Sequence, residues 1–162
     1  MFEPALVQSG KAVIDAARAA GVRIVTVETC TGGLVSGCLT SVPGASEVFE
    51  RGFVLYHSSA KATGLGVPDS ISSQHGAVSA EVTKALAEGG LAHSTAGISV
   101  AVTGYAGPGG GNERDPVGTC YIAASRTGSE TLVQRHQFSG DRNAVRAAAV
   151  KSALGLIVKA IG

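Results

Sequence analysis

The pattern of apolar and polar residues along the chain predicts both helices and strands. Apolar residues recur at helical spacing in stretches that predict helices over 4–20, 34–40, 80–91 and from 142 onward. A shorter helix is predicted around residue 61. Runs rich in β-branched residues predict strands over 23–28, 48–56, 98–102, 117–125 and 131–138. Segments 42–46 and 74–77 are predicted to be a loop and a turn.

Helices and strands intermix along the chain, and the last two strands are close enough in sequence to form a hairpin. This order predicts an α/β fold, a three-layer α/β/α sandwich with a mixed β-sheet. The length suits one compact domain and leaves no room for a second full core, so we expect a single domain over residues 1–162. The apolar helices leave open whether they bury only this core or also an interface in a homo-oligomer.

Composition narrows the classes of function. Only 15% of residues are charged, and the formal charge of +1 is spread without a basic stripe. We therefore expect neither a nucleic-acid partner nor a membrane partner. Three cysteines without a C-x-x-C pair, and the lack of an apolar run of about 20 residues, predict a cytoplasmic protein with reduced thiols. The four histidines show no metal-ligand spacing, so no metal site is expected.

A glycine turn after the first strand is the first candidate for a functional site. Gly32 and Gly33 let backbone N–H groups approach an anion, and the helix that follows adds positive potential. Thr29 and Thr31 supply hydroxyls that could bind a phosphate or attack a carbonyl. A tight turn without a ligand would explain the glycines equally well.

The second strand is flanked by Ser46 on one side and by Tyr56 and Lys61 on the other. A hydroxyl needs a base to become a nucleophile, and a lysine in a partly apolar site can lose its proton and act as that base. A solvated surface lysine is the plainer alternative.

The third candidate is a loop of unusual glycine content after the strand 98–102. Close approach of backbone to a ligand would explain Gly104, Gly107, Gly110 and Gly111, although the spacing is neither a P-loop nor a dinucleotide fingerprint. Arg142, at the start of the last helix, is a candidate clamp for a phosphate. Because each of the three segments adjoins a predicted strand, we expect all of them to face one crevice.

These motifs together resemble the CinA C-terminal-domain family, which includes stand-alone nicotinamide-nucleotide amidases. The matching runs follow one another over nearly the whole chain: 28–33, 43–46, 49–56, 60–61, 74–79, 104 with 106–108, 116–118 and 138–142. The resemblance implies an amidohydrolase that needs no metal or cofactor. Its substrate would be a small nucleotide, nicotinamide mononucleotide, converted to nicotinate mononucleotide and ammonia. It also implies a serine–lysine arrangement in which Lys61 and Tyr56 match the family's lysine and tyrosine.

The chain departs from the family pattern at the first glycine turn. Thr29 stands where the family usually has a serine, and its extra methyl group restricts χ1. Either Thr29 or Ser46 is therefore the predicted nucleophile, with Ser46 preferred, and neutral Lys61 is the predicted base. His57 and Ser58 also replace the family's Ser-Asn, which leaves fine specificity open.

The resulting hypothesis is a Ser/Thr–Lys amidase. The turn at 31–33 or the loop at 107–111 would hold the oxyanion or the phosphate, with Tyr56 assisting proton transfer and Arg142 binding the phosphate. Two alternatives are a catalytically impaired nucleotide-binding module and an amidase for another small amide.

Overall fold

The computed structural model describes residues 1–162 as five strands and six α-helices around one sheet. The helices are α1 Pro4–Ala20, α2 Leu34–Thr40, α3 Ala60–Leu65, α4 Asp69–His75, α5 Ala80–Ala92 and α6 Arg142–Ile161. The strands are β1 Ile24–Glu28, β2 Phe49–Val54, β3 Ile98–Gly104, β4 Thr119–Arg126 and β5 Leu132–Gln137. A single 3₁₀ turn, Ala45–Glu47, precedes β2.

The sheet has the strand order β2-β1-β3-β4-β5. β1 is parallel to β2 and β3, whereas β4 is antiparallel to β3 and β5. Every residue of β1 is buried, as its unbroken β-branched run predicts for a strand covered on both faces. The carboxyl ends of β1, β2 and β3 therefore meet at one edge of the sheet.

Helices cover both faces of this sheet. On one face α1, α2 and α6 form the larger core, in which Val13, Leu39 and Leu154 are fully buried. On the other face α5 and α3 form a smaller core around Leu86 and Leu65. The prediction of a three-layer α/β/α sandwich with a mixed sheet in a single domain is confirmed. None of the helices combines the length and apolar character needed to cross a bilayer.

Two segments differ from the sequence-based expectation. α4 was not predicted, and its last residue, His75, was assigned to a turn. The helix buries none of its residues, so its sequence carries no apolar stripe that could reveal it. The segment predicted as a loop at 42–46 overlaps the 3₁₀ turn Ala45–Glu47. This turn is only three residues long, too short for a helical spacing of apolar residues to be recognised in the sequence.

Candidate active site

A cavity of about 290 Å³ opens at the carboxyl edge of β1, β2 and β3. The segments that follow these strands line it together with the first residue of α6. The predicted site residues found in its lining are Thr29, Tyr56, Lys61, Gly104, Gly107 and Arg142. The expectation of a shared crevice is met for these six residues.

Lys61 is the buried base candidate. It lies in the first turn of α3 with 6% of its surface exposed, which is unusual for a lysine. No carboxylate lies within ion-pair distance of Nζ. Burial lowers the pKa of Lys61 below its ordinary value, because the charged form loses its water without gaining a partner. The neutral amine is therefore favoured here more than at a surface lysine.

Thr29 places a hydroxyl in the same cavity. Its backbone N–H and its Oγ1 both donate to the carbonyl oxygen of Val102, over 3.3 and 2.9 Å. The Oγ1 bond sets the resting rotamer of Thr29, a residue that is 9% exposed. The N–H of the next residue, Cys30, donates to no protein acceptor and is available beside this hydroxyl.

The side chain of Glu28 stabilises the glycine turn by accepting hydrogen bonds on the side away from the cavity. Its buried carboxylate accepts two hydrogen bonds from hydroxyls, those of Thr31 at 2.7 Å and Ser36 at 2.8 Å. It also accepts three from backbone N–H groups, those of Gly33 at 3.1 Å, Val35 at 2.9 Å and Ser36 at 2.8 Å. The amino end of α2 is thus already neutralised by a protein carboxylate. Thr31 and Gly33 do not line the cavity. These two residues therefore lie outside the group that the structure brings together, and their contact with substrate stays a prediction.

Arg146, a residue of α6, also stabilises the glycine turn after β1. Its Nε donates to the Cys30 carbonyl oxygen at 3.0 Å and its Nη2 to that of Thr31 at 3.2 Å. Gly32 has φ +59°, and a Cβ there would lie 3.3 Å from Arg146 Nη2. Gly32 therefore allows the left-handed backbone of the turn and leaves space for the Arg146 side chain. It too lies outside the cavity lining.

Ser46 lies before the amino end of β2, whereas Lys61 lies beyond its carboxyl end, so the two residues are at opposite ends of the strands. It is exposed in the 3₁₀ turn before β2, where it lines a separate hollow with Pro43 and Phe49. The six residues of β2 separate this turn from the active edge, a span of roughly 20 Å at about 3.3 Å per residue. The prediction of Ser46 as the nucleophile is corrected, because its hydroxyl cannot reach a base beyond the other end of the strand.

Arg142 closes the mouth of the cavity. Its Nη1 donates to the Gly107 carbonyl oxygen at 2.6 Å, and its Nη2 donates to the Tyr56 hydroxyl at 2.7 Å. No carboxylate pairs with this guanidinium, so its positive charge is uncompensated at the entrance. Such a group is suited to an anionic part of a ligand.

The glycines of the loop after β3 divide into two groups. Gly104 lies in the cavity floor, where a Cβ would come within 2.5 Å of Cys120 Sγ and 3.1 Å of Cys30 Sγ. Gly110 and Gly111 shape the loop and do not line the cavity, so their contact with substrate stays a prediction. A Cβ on Gly111 would lie 2.7 Å from the backbone nitrogen of Val117.

A buried ionic cluster, which sequence reasoning missed, anchors this loop. The carboxylate of Asp115 is fully buried and accepts hydrogen bonds from Arg114 at 2.8 Å, Arg135 at 3.1 Å and the Tyr121 hydroxyl at 2.9 Å. Burial alone would raise the pKa of Asp115, but these hydrogen bonds outweigh it and hold the pKa below its ordinary value. No three His, Cys, Asp or Glu side chains converge as a metal site would require.

Comparison with known proteins gives one consistent result. The family model described as CinA C-terminal domain matches residues 7–161. Nicotinamide-nucleotide amidohydrolase PncC of Escherichia coli K12 is 43% identical over 95% of this chain and 93% of its own length. A putative competence-damage inducible protein of Caldicellulosiruptor bescii is 46% identical over 86% of this chain, which spans about a third (34%) of that longer protein.

Solved structures agree with the sequence comparison. The competence/damage inducible protein CihA from Agrobacterium tumefaciens superposes with a TM-score of 0.95 and 36% identity, over 98% of this chain and 97% of its own. The competence damage-inducible protein A from Klebsiella pneumoniae superposes with a TM-score of 0.91 and 34% identity, over 95% of both chains.

Proposed function

The chain belongs to the CinA C-terminal domain family, and we propose that it hydrolyses the carboxamide of nicotinamide mononucleotide to nicotinate mononucleotide and ammonia. The observation that carries this proposal is the buried, unpaired Lys61 in one cavity with the hydroxyl of Thr29 and the guanidinium of Arg142, which has no carboxylate partner. A relative that this chain matches over nearly its full length is named for this activity.

Thr29 is the nucleophile in this proposal and Lys61 is its base. Neutral Nζ takes the hydroxyl proton as Oγ1 bonds to the carboxamide carbon. The tetrahedral intermediate then breaks its C–N bond, and Lys61 returns the proton to the departing ammonia. The resulting ester is opened by a water molecule, whose proton passes through Lys61 back to Thr29. In the resting site the hydroxyl points to Val102, so it must turn toward Lys61 when substrate binds.

The oxyanion is stabilised by backbone donors that the fold leaves free. The N–H groups of Cys30, Ala106 and Gly107 have no protein acceptor, and all three residues line the cavity. Donors that are already in place when negative charge develops lower the barrier most effectively. The carbonyl carbon would lie between the Thr29 turn and the loop after β3, with the oxyanion pointing at these groups.

Arg142 binds the phosphate at the cavity mouth. A phosphate would exchange its present bonds to Gly107 and Tyr56 for charge-assisted ones. The Tyr56 hydroxyl, released from the guanidinium, is then free to hydrogen-bond the substrate or to assist proton transfer. The side chain of Tyr56 is 62% exposed, so this movement meets little obstruction.

We also propose that the protein acts in the cytoplasm, without metal, cofactor or nucleic-acid partner. The three cysteines are free and buried, and the charge is nearly balanced. A homo-oligomer remains an expectation that size-exclusion chromatography with light scattering would test.

The test is ammonia release from nicotinamide mononucleotide by purified, chelator-treated protein. The Lys61→Met variant, purified identically, corrects for contaminating amidases. Release that the variant lacks would support the proposal. Tight binding of the nucleotide without release would instead favour a binding module, and release from a different small amide alone would reassign the substrate.

A further inference from the structure

The pyridinium ring of the proposed substrate, nicotinamide mononucleotide, carries a positive charge, and the cavity lining offers no carboxylate to pair with it. The lining instead contains the cationic guanidinium of Arg142. Desolvating a cation without a partner is costly. Some other feature of the cavity must therefore stabilise the ring.

Three carboxylates on the segments around the cavity do not face it. Glu28 lies behind the glycine turn and accepts five hydrogen bonds. Asp115 is held by two arginines, and Asp141 caps α6 by accepting from the N–H of Ala144 at 2.9 Å. None of these three side chains lines the cavity.

We propose that the aromatic ring of Tyr105 recognises the pyridinium cation and so determines specificity for the oxidised, charged nucleotide. This inference rests on the proposed function. The face of an aromatic ring attracts cations, and the attraction grows when water is excluded. Tyr105 is half-buried in the cavity lining, between Gly104 in the floor and Ala106, whose N–H is a proposed oxyanion donor.

The fold fixes the backbone of Tyr105. Its N–H donates to the Thr119 carbonyl oxygen at 2.9 Å, and its own carbonyl oxygen accepts from the Gly118 N–H at 2.7 Å. One edge of the ring lies against Gly110, where a Cβ would come within 3.3 Å of Tyr105 Cδ1. The glycine at 110 thus leaves room for this ring, and no hydrogen bond of the Tyr105 hydroxyl dictates its position.

The other tyrosine in the lining is less suited to a cation. The hydroxyl of Tyr56 accepts from Arg142 in the resting site, and the same guanidinium would stay at the mouth to hold the phosphate, close to this ring. Tyr56 is also 62% exposed at the mouth, where water would weaken the attraction. Tyr105 has no cationic side chain among its hydrogen-bond partners.

The test compares two ligands that differ in ring charge. Nicotinamide mononucleotide and its dihydro form share the carboxamide, ribose and phosphate, but only the first has a cationic ring. Dissociation constants are measured by calorimetry in a Lys61→Met background, which prevents turnover. We expect Tyr105→Leu to weaken binding of the oxidised nucleotide by roughly ten- to thirtyfold, and of the dihydro form by less than about threefold. Tyr105→Phe, which keeps the ring, should leave both constants within about threefold.

The outcomes separate this inference from the proposed function. Equal weakening of both ligands by Tyr105→Leu would make the ring only an apolar wall, and no weakening of either would remove it from the binding site. Both results would overturn the inference even if ammonia release is intact. Conversely, charge-selective weakening in a protein that binds but releases no ammonia would support the inference while the proposed function fails.

Discussion

Arg142 and Tyr56, which are 86 positions apart in the sequence, are joined by a 2.7 Å hydrogen bond from Nη2 to the tyrosine hydroxyl across the mouth of the cavity. The bond links the start of α6 to the segment after β2. Because the guanidinium has no carboxylate partner, its bonds to neutral groups can be given up for a phosphate at little cost.

The phosphate contact proposed for Arg142 gives the first prediction. Arg142→Gln should raise the KM for nicotinamide mononucleotide by roughly ten- to a hundredfold, since a charge-assisted pair is lost. The rate with nicotinamide riboside, which lacks the phosphate, should change much less. Steady-state kinetics with both substrates checks this, with Arg51→Gln, whose guanidinium pairs with Glu50 on the surface, as the matched control. An equal loss on both substrates would contradict a phosphate contact.

The choice of nucleophile gives the second prediction. Thr29→Val keeps the shape of the side chain but removes the hydroxyl, so kcat should fall by at least about a thousandfold. Ser46→Ala, at the other edge of the sheet, should stay within about twofold, as a surface substitution does. Thr29→Ser should remain active because it retains the hydroxyl. A collapse of activity in Ser46→Ala with an intact Thr29→Val enzyme would reverse the assignment.

The state of Lys61 gives the third prediction. The proposed mechanism requires the neutral amine, so kcat/KM should increase with pH until the lowered pKa of Lys61 is passed and then level off. Below that pKa the amine is protonated and activity is lost. Lys61→Arg should be inactive throughout, because a guanidinium stays charged. A pH–rate profile of the wild type decides the matter, and a rate independent of pH would argue against lysine as the base.

The free energy of unfolding should also depend on the ionisation of Lys61. Because burial lowers the pKa of Lys61, the unfolded chain binds a proton at pH values where the folded chain has released it. The free energy of unfolding should therefore rise with pH between the lowered pKa and the ordinary value of 10.5. Lys61→Met removes this part of the pH dependence. Urea titrations of the wild type and the variant over that pH range would detect it.

The buried carboxylate of Glu28 gives a further prediction. Glu28→Gln turns an acceptor of several N–H groups into an amide whose nitrogen faces donors, so we expect destabilisation by about 2–4 kcal/mol. Glu47→Gln, which breaks an exposed pair with Arg18, should cost less than about 1 kcal/mol. Urea unfolding of both variants measures the difference. Similar values for the two would show that the glycine turn does not depend on the carboxylate.

Local patterns were sufficient to predict most elements of the fold. The bounds of α1 and α2 follow from apolar spacing, together with Gly21, which is in the left-handed conformation that a helix end favours. The exclusion of Ser46 was also within reach of the sequence. A strand was predicted between Ser46 and Lys61, and residues before and after one strand lie at opposite edges of a sheet.

The supporting contacts of the site could not be predicted in this way. Arg146 reaches Thr31 across 115 positions, and Asp115 meets Arg135 across 20. Each side chain alone is an ordinary charged residue, and only the packing of α6 and β5 gives it a partner. The role of Glu28 was hidden for another reason, since a carboxylate at a strand end suggests a ligand contact as readily as a cap for the next helix.

The position of α6 along the chain has a consequence for the protein during its synthesis. Thr29 and Lys61 leave the ribosome well before α6, which supplies both the clamp at the mouth and, through Arg146, the fastening of the turn that carries Thr29. A nascent chain that has formed only the strands would expose a hydroxyl and an amine with no means of holding a nucleotide. With the phosphate role proposed for Arg142, substrate capture requires that α6 has docked, so a chain in which it has not docked would leave the nucleotide unbound.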